Sequence, residues 1–390
     1  MINKLHILYV VLGISLSAVC QGATLTLLHT NDLHSHFRPD RSELGLGGLA
    51  RLKTAIDRER TQNPEALLVD AGDWSEGSIY FSESGAQGVL QMMELMGYDL
   101  AMIGNHDFFN GADHLLDALH AVHPRMQVLA TNADPVAYPR QDEFRRAFPL
   151  YAIRQVGSLR VAFLGILTYE FIYDKYFLPV RILEPFKVAR ELAKKLRPSV
   201  DVIVALSHNG LALNQQLLKE APEIDLIVGA HDHRKLTTAV KVERHGRAPG
   251  YLVEAGSWGH YLGKVMLEVG NGRVDLKSAN LLQIDSTLPE NPRIVREVEH
   301  VEAILASRMG PVFEDAVADC GVDLGRVGIE SGMGNLTTDA YRAATGADIS
   351  LDEAHFIYGE INRGHLTSAD VFNANPAIHD VHTGRSWDLS

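Results

Sequence analysis

The chain has 390 residues, 46% of them hydrophobic, enough to bury one large core and leave a smaller piece beside it. Its formal net charge of -13 excludes the basic footprint that phosphate-backbone binding requires, so no nucleic acid polymer is expected as a partner. Cys20 and Cys320 are the only cysteines, which excludes a disulfide framework.

The opening segment, MINKLHILYVVLGISLSAVCQGA, carries Lys4 and then an apolar run from Ile7 to Val19 that is too short to span a bilayer comfortably. That is the form of a secretory signal over residues 1–23, so an exported protein, periplasmic or extracellular, is expected. SAVC also weakly resembles a lipoprotein signal in which Cys20 is acylated, and only then is a membrane contact expected.

TLTLLHTN alternates like a strand, and NDLHSHFRPD breaks the alternation. GGLARLKTAIDRER has Leu49, Leu52 and Ile56 at helical spacing, and ALLVDAGDW is a short apolar run closed by Gly and Asp. GVLQMMELMGYD reads as a helix that ends at Gly97, where a left-handed cap is cheap. LAMIGNHD, the helical GADHLLDALHAV and the strand QVLATNAD follow. The alternation runs on through LRVAFLGIL, the helical EPFKVARELAKKLR, VDVIVALSHNG, the helical NQQLLKEAP, IDLIVGAHDH, YLVEAGSWG and GKVMLEV. Short apolar strands alternating with helices indicate an α/β architecture with helix-covered sheets. Leu288–Gly310 holds two prolines and then a charged helix with Ile294, Val298 and Val301 on one side. It fits either a connector between domains or an outer helix of the first. GNLTTDAYRAATGADISL reads as a helix running into a strand, and few residues follow it.

Five strand ends carry polar clusters: Asp32 and His34, Asp73, Asn105 and His106, His208, and His231 and His233. Ligands of open α/β sheets bind beyond the carboxyl ends of the strands, so residues that span two hundred positions are expected to converge. The members of the pairs Asp32/His34 and His231/His233 are two apart, which in an extended chain turns both to one side, able to clasp one ion. The same spacing favours His34 over His36. His, Asp and Asn donors without Cys suit zinc, manganese or iron. His114, His120, His123, His245 and His300 sit on apparent helix faces or in loops and are read as ordinary histidines.

NDLHSHF, GDW, GNHDF, SHNG and GAHDH, in this order and separation, resemble the calcineurin-like metallophosphoesterases, specifically the exported 5'-nucleotidase and UDP-sugar hydrolase family. The resemblance implies a four-layer α/β/β/α sandwich over residues 24–285, a linker helix over 286–310 and a partial α/β C-terminal domain over 311–390. It also implies two divalent metal ions, with Asp32, His34 and His233 on one, Asn105, His208 and His231 on the other, and Asp73 bridging. His106 would be the acid or charge stabiliser that faces the phosphate of a nucleotide-like phosphoester. Asn132, in TNAD, fits a family strand end without an assigned role.

Two departures stand out. Many relatives read N-H-E-F-D, with an acid three residues after the histidine to orient it, where this chain has Phe109. Asp107, Asn110 or another carboxylate is left for that task, and Phe109 reads as a packing residue under the following helix. The place where relatives carry N-G-G-G-I-R falls on EAHFIY, so Tyr358 stands where an arginine would grip phosphate. The chain ends at Ser390, before the region of the base-sandwiching aromatics, which implies weak nucleotide selection. Two alternatives are a thiosulfohydrolase of the same superfamily, although those usually alter the GNH motif present here, and a surface protein with an inert metal site.

Overall fold

The computed structural model describes residues 22–170, 173–328, 330–352 and 357–376, together with the strand backbone at 379–380 and 385–386. Residues 1–21 of the signal reading over 1–23, and Glu353–Phe356 of EAHFIY, lie outside the described residues. Among the described residues no helix is long and apolar enough to cross a membrane.

In chain order the principal strands are β1 (Ala23–Thr30), β2 (Leu67–Asp70), β3 (Leu100–Met102), β4 (Gln127–Leu129), β5 (Ala133–Asp134), β6 (Tyr151–Val156) and β7 (Leu159–Ile166). They continue with β8 (Arg181–Ile182), β9 (Val202–Ser207), β10 (Leu226–Gly229), β11 (Val240–Arg244), β12 (Arg247–Val253), β13 (Tyr261–Gly270) and β14 (Arg273–Gln283). One six-stranded sheet has the order β14-β13-β1-β2-β3-β4, with β1 to β4 parallel. The other runs β11-β12-β10-β9-β7-β6, with β7, β9, β10 and β12 parallel. Strands β6, β11 and β14 carry mixed polar and apolar residues at sheet edges and give no distinct signal in the sequence.

The layers follow from the period-two alternation of strand side chains. In β7, Val161 and Phe163 enter the core shared with the first sheet, while Ala162 and Leu164 turn to the outer helices. In β9, Val202 and Val204 face inward, and Ile203 and Ala205 pack beside Ala189, Ala193, Leu217 and Leu218. Helices Leu49–Gln62 and Ala86–Met96 cover the first sheet, the latter ending on left-handed Gly97 as expected. Two sheets packed face to face between helical layers make the expected four-layer sandwich.

Helix Pro292–Met309 starts at Asn291, whose side chain accepts from the Arg293 and Ile294 amides. It buries Ile294, Val298 and Leu305 against the main core. Its Glu302 accepts from Arg38 at 2.9 and 2.7 Å and from the Tyr80 hydroxyl at 2.7 Å. Beyond it, β15 (Ala318–Cys320) pairs with β16 (Gly364–Leu366), and Met333, Ile357, Ile361, Leu366 and Ala374 form a small separate core. Arg41 pairs with Asp370, and Asn373 accepts from the Ile79 amide at 2.8 Å, docking this segment on the sandwich. The strand expected in ADISL does not form. Helix Gly332–Thr345 ends at Gly346, and Ile349 and Leu351 are 76% and 88% exposed with no partner strand among the described residues. Apolar alternation makes a strand only where an edge is available to pair with it.

One cross-strand pair is sterically exacting. His29 of β1 lies opposite Gly263 of β13, and a Cβ at 263 would sit 2.0 Å from His29 Nε2. His29 is only 1% exposed and has no space to swing into. Gly263→Ala is therefore expected to destabilise the protein by about 1–3 kcal/mol, the usual cost of overpacking. Denaturant unfolding checks this; an unchanged midpoint would show that the two strands can separate freely.

Candidate metal centre

All five strand-end clusters come from the parallel parts of the two sheets. Register aligns the ends: Thr30 with Asp70, and Ser207 with both Ile166 and Gly229. The loops continue the ladder briefly, with the Asp32 amide on the Gly72 carbonyl and the His34 amide on the Asp73 carbonyl, both at 2.9 Å.

The pairs are not presented by extended chain, however. Asp32, His34, Asp73, His231 and His233 all have positive φ, at 51°, 47°, 56°, 95° and 56°. The paired side chains come together as the spacing predicts, but from left-handed loops instead of extended chain. Past the strand ends the chain must coil to aim neighbouring side chains at one point. Only nine non-glycine residues among those described have positive φ, and five of them are these, so backbone strain is concentrated here.

The side chains meet around Asp73. Its Oδ2 lies 2.9 Å from His208 Nε2, 3.9 Å from His34 Nε2 and 4.0 Å from His106 Nε2, while Oδ1 accepts the His106 amide at 2.8 Å. Asp32 Oδ1 lies 3.6, 3.8 and 4.0 Å from Nε2 of His233, His208 and His34. Three sets could each hold an ion: Asp32, His34 and His233; His34, Asp73 and His106; and Asp73, His208 and His231. Among the described residues none of these sets includes His36, His114, His120, His123, His245 or His300. His36 instead stacks on Trp258 at 5.0 Å.

Protein groups outside the cluster orient the imidazoles. His34 Nδ1 donates to the Glu76 carbonyl at 2.6 Å and His208 Nδ1 to the Ala71 carbonyl at 2.9 Å, which leaves each Nε2 lone pair facing inward. Burial depresses His34 to about 3 and holds His233 well below the usual imidazole range, keeping both neutral. Burial, Asp73 and Glu254 push Asp32 well above the carboxylate range. Asp73 stays well below it despite burial, because His208, His106 and His34 surround it. The Asn105 amide, 1% exposed, has no hydrogen-bond partner at either Oδ1 or Nδ2 among the described residues. His208 Nε2 approaches Asp73 without hydrogen-bond alignment. Unanswered buried donor atoms beside two carboxylates are what a cation site requires.

Several residues here carry no sequence signal. Glu76 Oε2 lies 2.5 Å from His106 Nδ1, and Glu170 Oε1 lies 2.9 Å from His231 Nε2 just past β7, a strand whose end looked empty. Asp107 points away from His106 and accepts the amides of Gly104, Asp73 and Ser75 at 2.8–2.9 Å, bracing the Asp73 loop. Phe109 packs edge-on against His106 at 4.5 Å and against Tyr176 at 5.1 Å rather than simply under the next helix. Asn132 ties the Leu167 amide to the Leu167 and Leu183 carbonyls, a structural role. From the C-terminal segment, the Tyr358 ring reaches 5.5 Å from His106, and Arg326 Nη2 lies 3.4 Å from His233 Nδ1.

Comparison with known proteins gives the family. Residues 25–235 match the calcineurin-like phosphoesterase family, and residues 317–384 match the 5'-nucleotidase C-terminal domain. The chain is 27% identical to the trifunctional nucleotide phosphoesterase protein YfkN of Bacillus subtilis, over 90% of its own length and 26% of that protein's. It is 28% identical to the 5'-nucleotidase of Bos taurus, over 74% of its length and 54% of the relative's. The crystal structure of a 5'-nucleotidase precursor from Thermus thermophilus superposes with a TM-score of 0.80 at 26% identity, covering 91% of this chain and 74% of that one. The chain thus spans between about a quarter and about half of the length of these curated relatives.

The glycine before Asn105 has a steric task. A Cβ on Gly104 would lie 2.1 Å from Asp73 Oδ1 and 2.5 Å from the Asp73 amide nitrogen. Gly104→Ala must push Asp73 out of the centre, and manganese or zinc affinity is expected to fall about 10- to 100-fold. Calorimetric titration of the metal-stripped variant checks this; undiminished affinity would remove Asp73 from the metal set.

Proposed function

The chain belongs to the calcineurin-like phosphoesterase family, and on that premise we propose an exported, two-metal phosphoester hydrolase, either a 5'-nucleotidase-like phosphomonoesterase or a nucleotide-sugar hydrolase. The observation that carries the reading is the convergence of Asp32, His34 and His233 in one set and of Asp73, His208 and His231 in another, with Asn105 buried and without a hydrogen-bond partner at its amide among the described residues.

Asp32, His34 and His233 would hold one ion, Asn105, His208 and His231 the other, and Asp73 both. Zinc, manganese or iron all suit this donor set. Two such ions supply Lewis-acid polarisation of the phosphoryl group and a nucleophile at neutral pH. The protein's part is positioning. Asp73 turns one oxygen to the imidazoles while the His106 amide occupies the other, so the carboxylate cannot rotate. Asp73 and Glu76 raise the His106 pKa against its burial penalty, favouring an imidazolium whose Nε2 faces the centre. That group can donate its proton to the leaving oxygen or offset charge on the transferring phosphoryl. Arg326 adds a guanidinium beside His233, suited to a phosphate oxygen.

The test is phosphate release from nucleotides, nucleotide sugars and an aryl phosphate with each metal; no turnover with any of them would refute the proposal. Asp73→Ala is expected to leave less than about a tenth of activity and to weaken both metals. His106→Ala is expected to retain both metals and lose roughly two to four orders of magnitude in kcat. Loss of metal in the His106 variant would make that residue a ligand instead.

A further inference from the structure

We propose that Glu76 is the positioning carboxylate for His106, supplied by the loop after β2 instead of by the His106 loop. The inference rests on the reading of His106 as proton donor. Glu76 and His106 are 4% and 6% exposed, and Glu76 Oε2 meets His106 Nδ1 at 2.5 Å. In that contact Glu76 accepts the Nδ1–H hydrogen bond, leaving Nε2 towards Asp73 Oδ2, 4.0 Å away.

The other neighbours cannot set this orientation. Phe109, His34 and Tyr358 meet the ring edge-on at 4.5, 4.6 and 5.5 Å, limiting its position without a hydrogen bond to Nδ1. Asp107 is taken up by three backbone amides. A carboxylate that accepts from a buried imidazole makes a charge-assisted bond strengthened by the low local dielectric.

Glu76 serves two histidines through different parts of itself. Its carbonyl holds His34 Nδ1 at 2.6 Å, while its side chain holds His106. The following Gly77 allows that approach, because a Cβ there would lie 2.6 Å from the His34 Cβ. A side-chain substitution at 76 should therefore spare the His34 interaction and act through His106 alone.

The experiment compares the full-length wild type, Glu76→Gln, Glu76→Asp, His106→Ala and the double variant Glu76→Gln/His106→Ala. Metal content, aryl phosphate kinetics and spectra of ¹⁵N-histidine-labelled protein, with and without manganese replaced by zinc, are measured for each. Glu76→Gln should keep two metals and a KM within about threefold, while kcat falls roughly 10- to 1,000-fold, bounded by the range for a general acid. Glu76→Asp should recover part of that loss. In the His106→Ala background, Glu76→Gln should change kcat by less than about twofold, because residues that act as a unit are non-additive. The strongly downfield Nδ1 proton of His106 should disappear in Glu76→Gln. Equal loss in both backgrounds, loss of metal, or an unchanged His106 signal would overturn the proposal. If the wild type turns over no phosphoester, the hydrolase reading fails, and the His106 spectrum still decides whether Glu76 holds the ring.

Discussion

Two carboxylates buried together are the constraint to which the rest of the molecule answers. Asp32 and Asp73 are 0% and 2% exposed, within 4 Å of a shared set of imidazoles. Removing such charges from water costs several kcal/mol per ion unless they are compensated. The surrounding chain supplies what a protein can: the Asn31 amide donates to Asp32 at 2.7 Å, the His231 amide reaches Asp32 at 3.2 Å, and the His106 amide serves Asp73. Burial and the neighbouring acids push Asp32 well above the usual carboxylate range while the surrounding imidazoles hold Asp73 well below it, an imbalance that a bound cation would relieve. Left-handed loops and close-packed Gly104 are costs the sandwich bears to keep this geometry.

The two sheets make that possible because each contributes half of the centre. Strands β1, β2 and β3 deliver Asp32, His34, Asp73 and Asn105, and β9 and β10 deliver His208, His231 and His233. The His208 Nδ1 bond to the Ala71 carbonyl and the Asn31 bonds to Ala255 and Gly256 stitch the sheets together at their carboxyl ends. A shift of one sheet over the other would therefore open the centre, which is why the core between them is continuous and rigidly packed.

The cluster was legible in the sequence because each of its residues stands just after an apolar strand, and α/β topology gathers such ends without further information. The backbone that aims them was not, since residues two apart in a left-handed loop carry the same letters as residues two apart in a strand. Glu76 was illegible for a different reason. SEGS in the loop after Asp73 has no periodicity, and the partnership with His106, thirty positions on, exists only once β2 and β3 are side by side. Phe109 gave half of that message by leaving the expected acid vacant. The failed strand in ADISL shows the opposite limit, where local pattern is satisfied but no edge receives it.

The C-terminal segment gives Tyr358, where the resemblance implies an arginine, a place beside the site. Tyr358 stands against His106, within an aromatic wall that also contains Phe109, Tyr173 and Tyr176. Arg326, from the same segment, contacts His233 and lies over the Trp258 ring at 5.7 Å. A cation and aromatic groups thus both adjoin the centre, and helix Pro292–Met309 is fixed to the sandwich through Glu302, Arg38 and Tyr80. On the proposed reading, phosphate is gripped on the His233 side and the leaving group passes the aromatic wall near His106. Binding energy spent at such a rim, away from the reacting atoms, can be used to orient the phosphoester for attack. Where the resemblance implies an arginine at 358 to grip phosphate, Arg326 beside His233 is the cation that this segment brings to the site, and Tyr358 adds an aromatic ring beside His106.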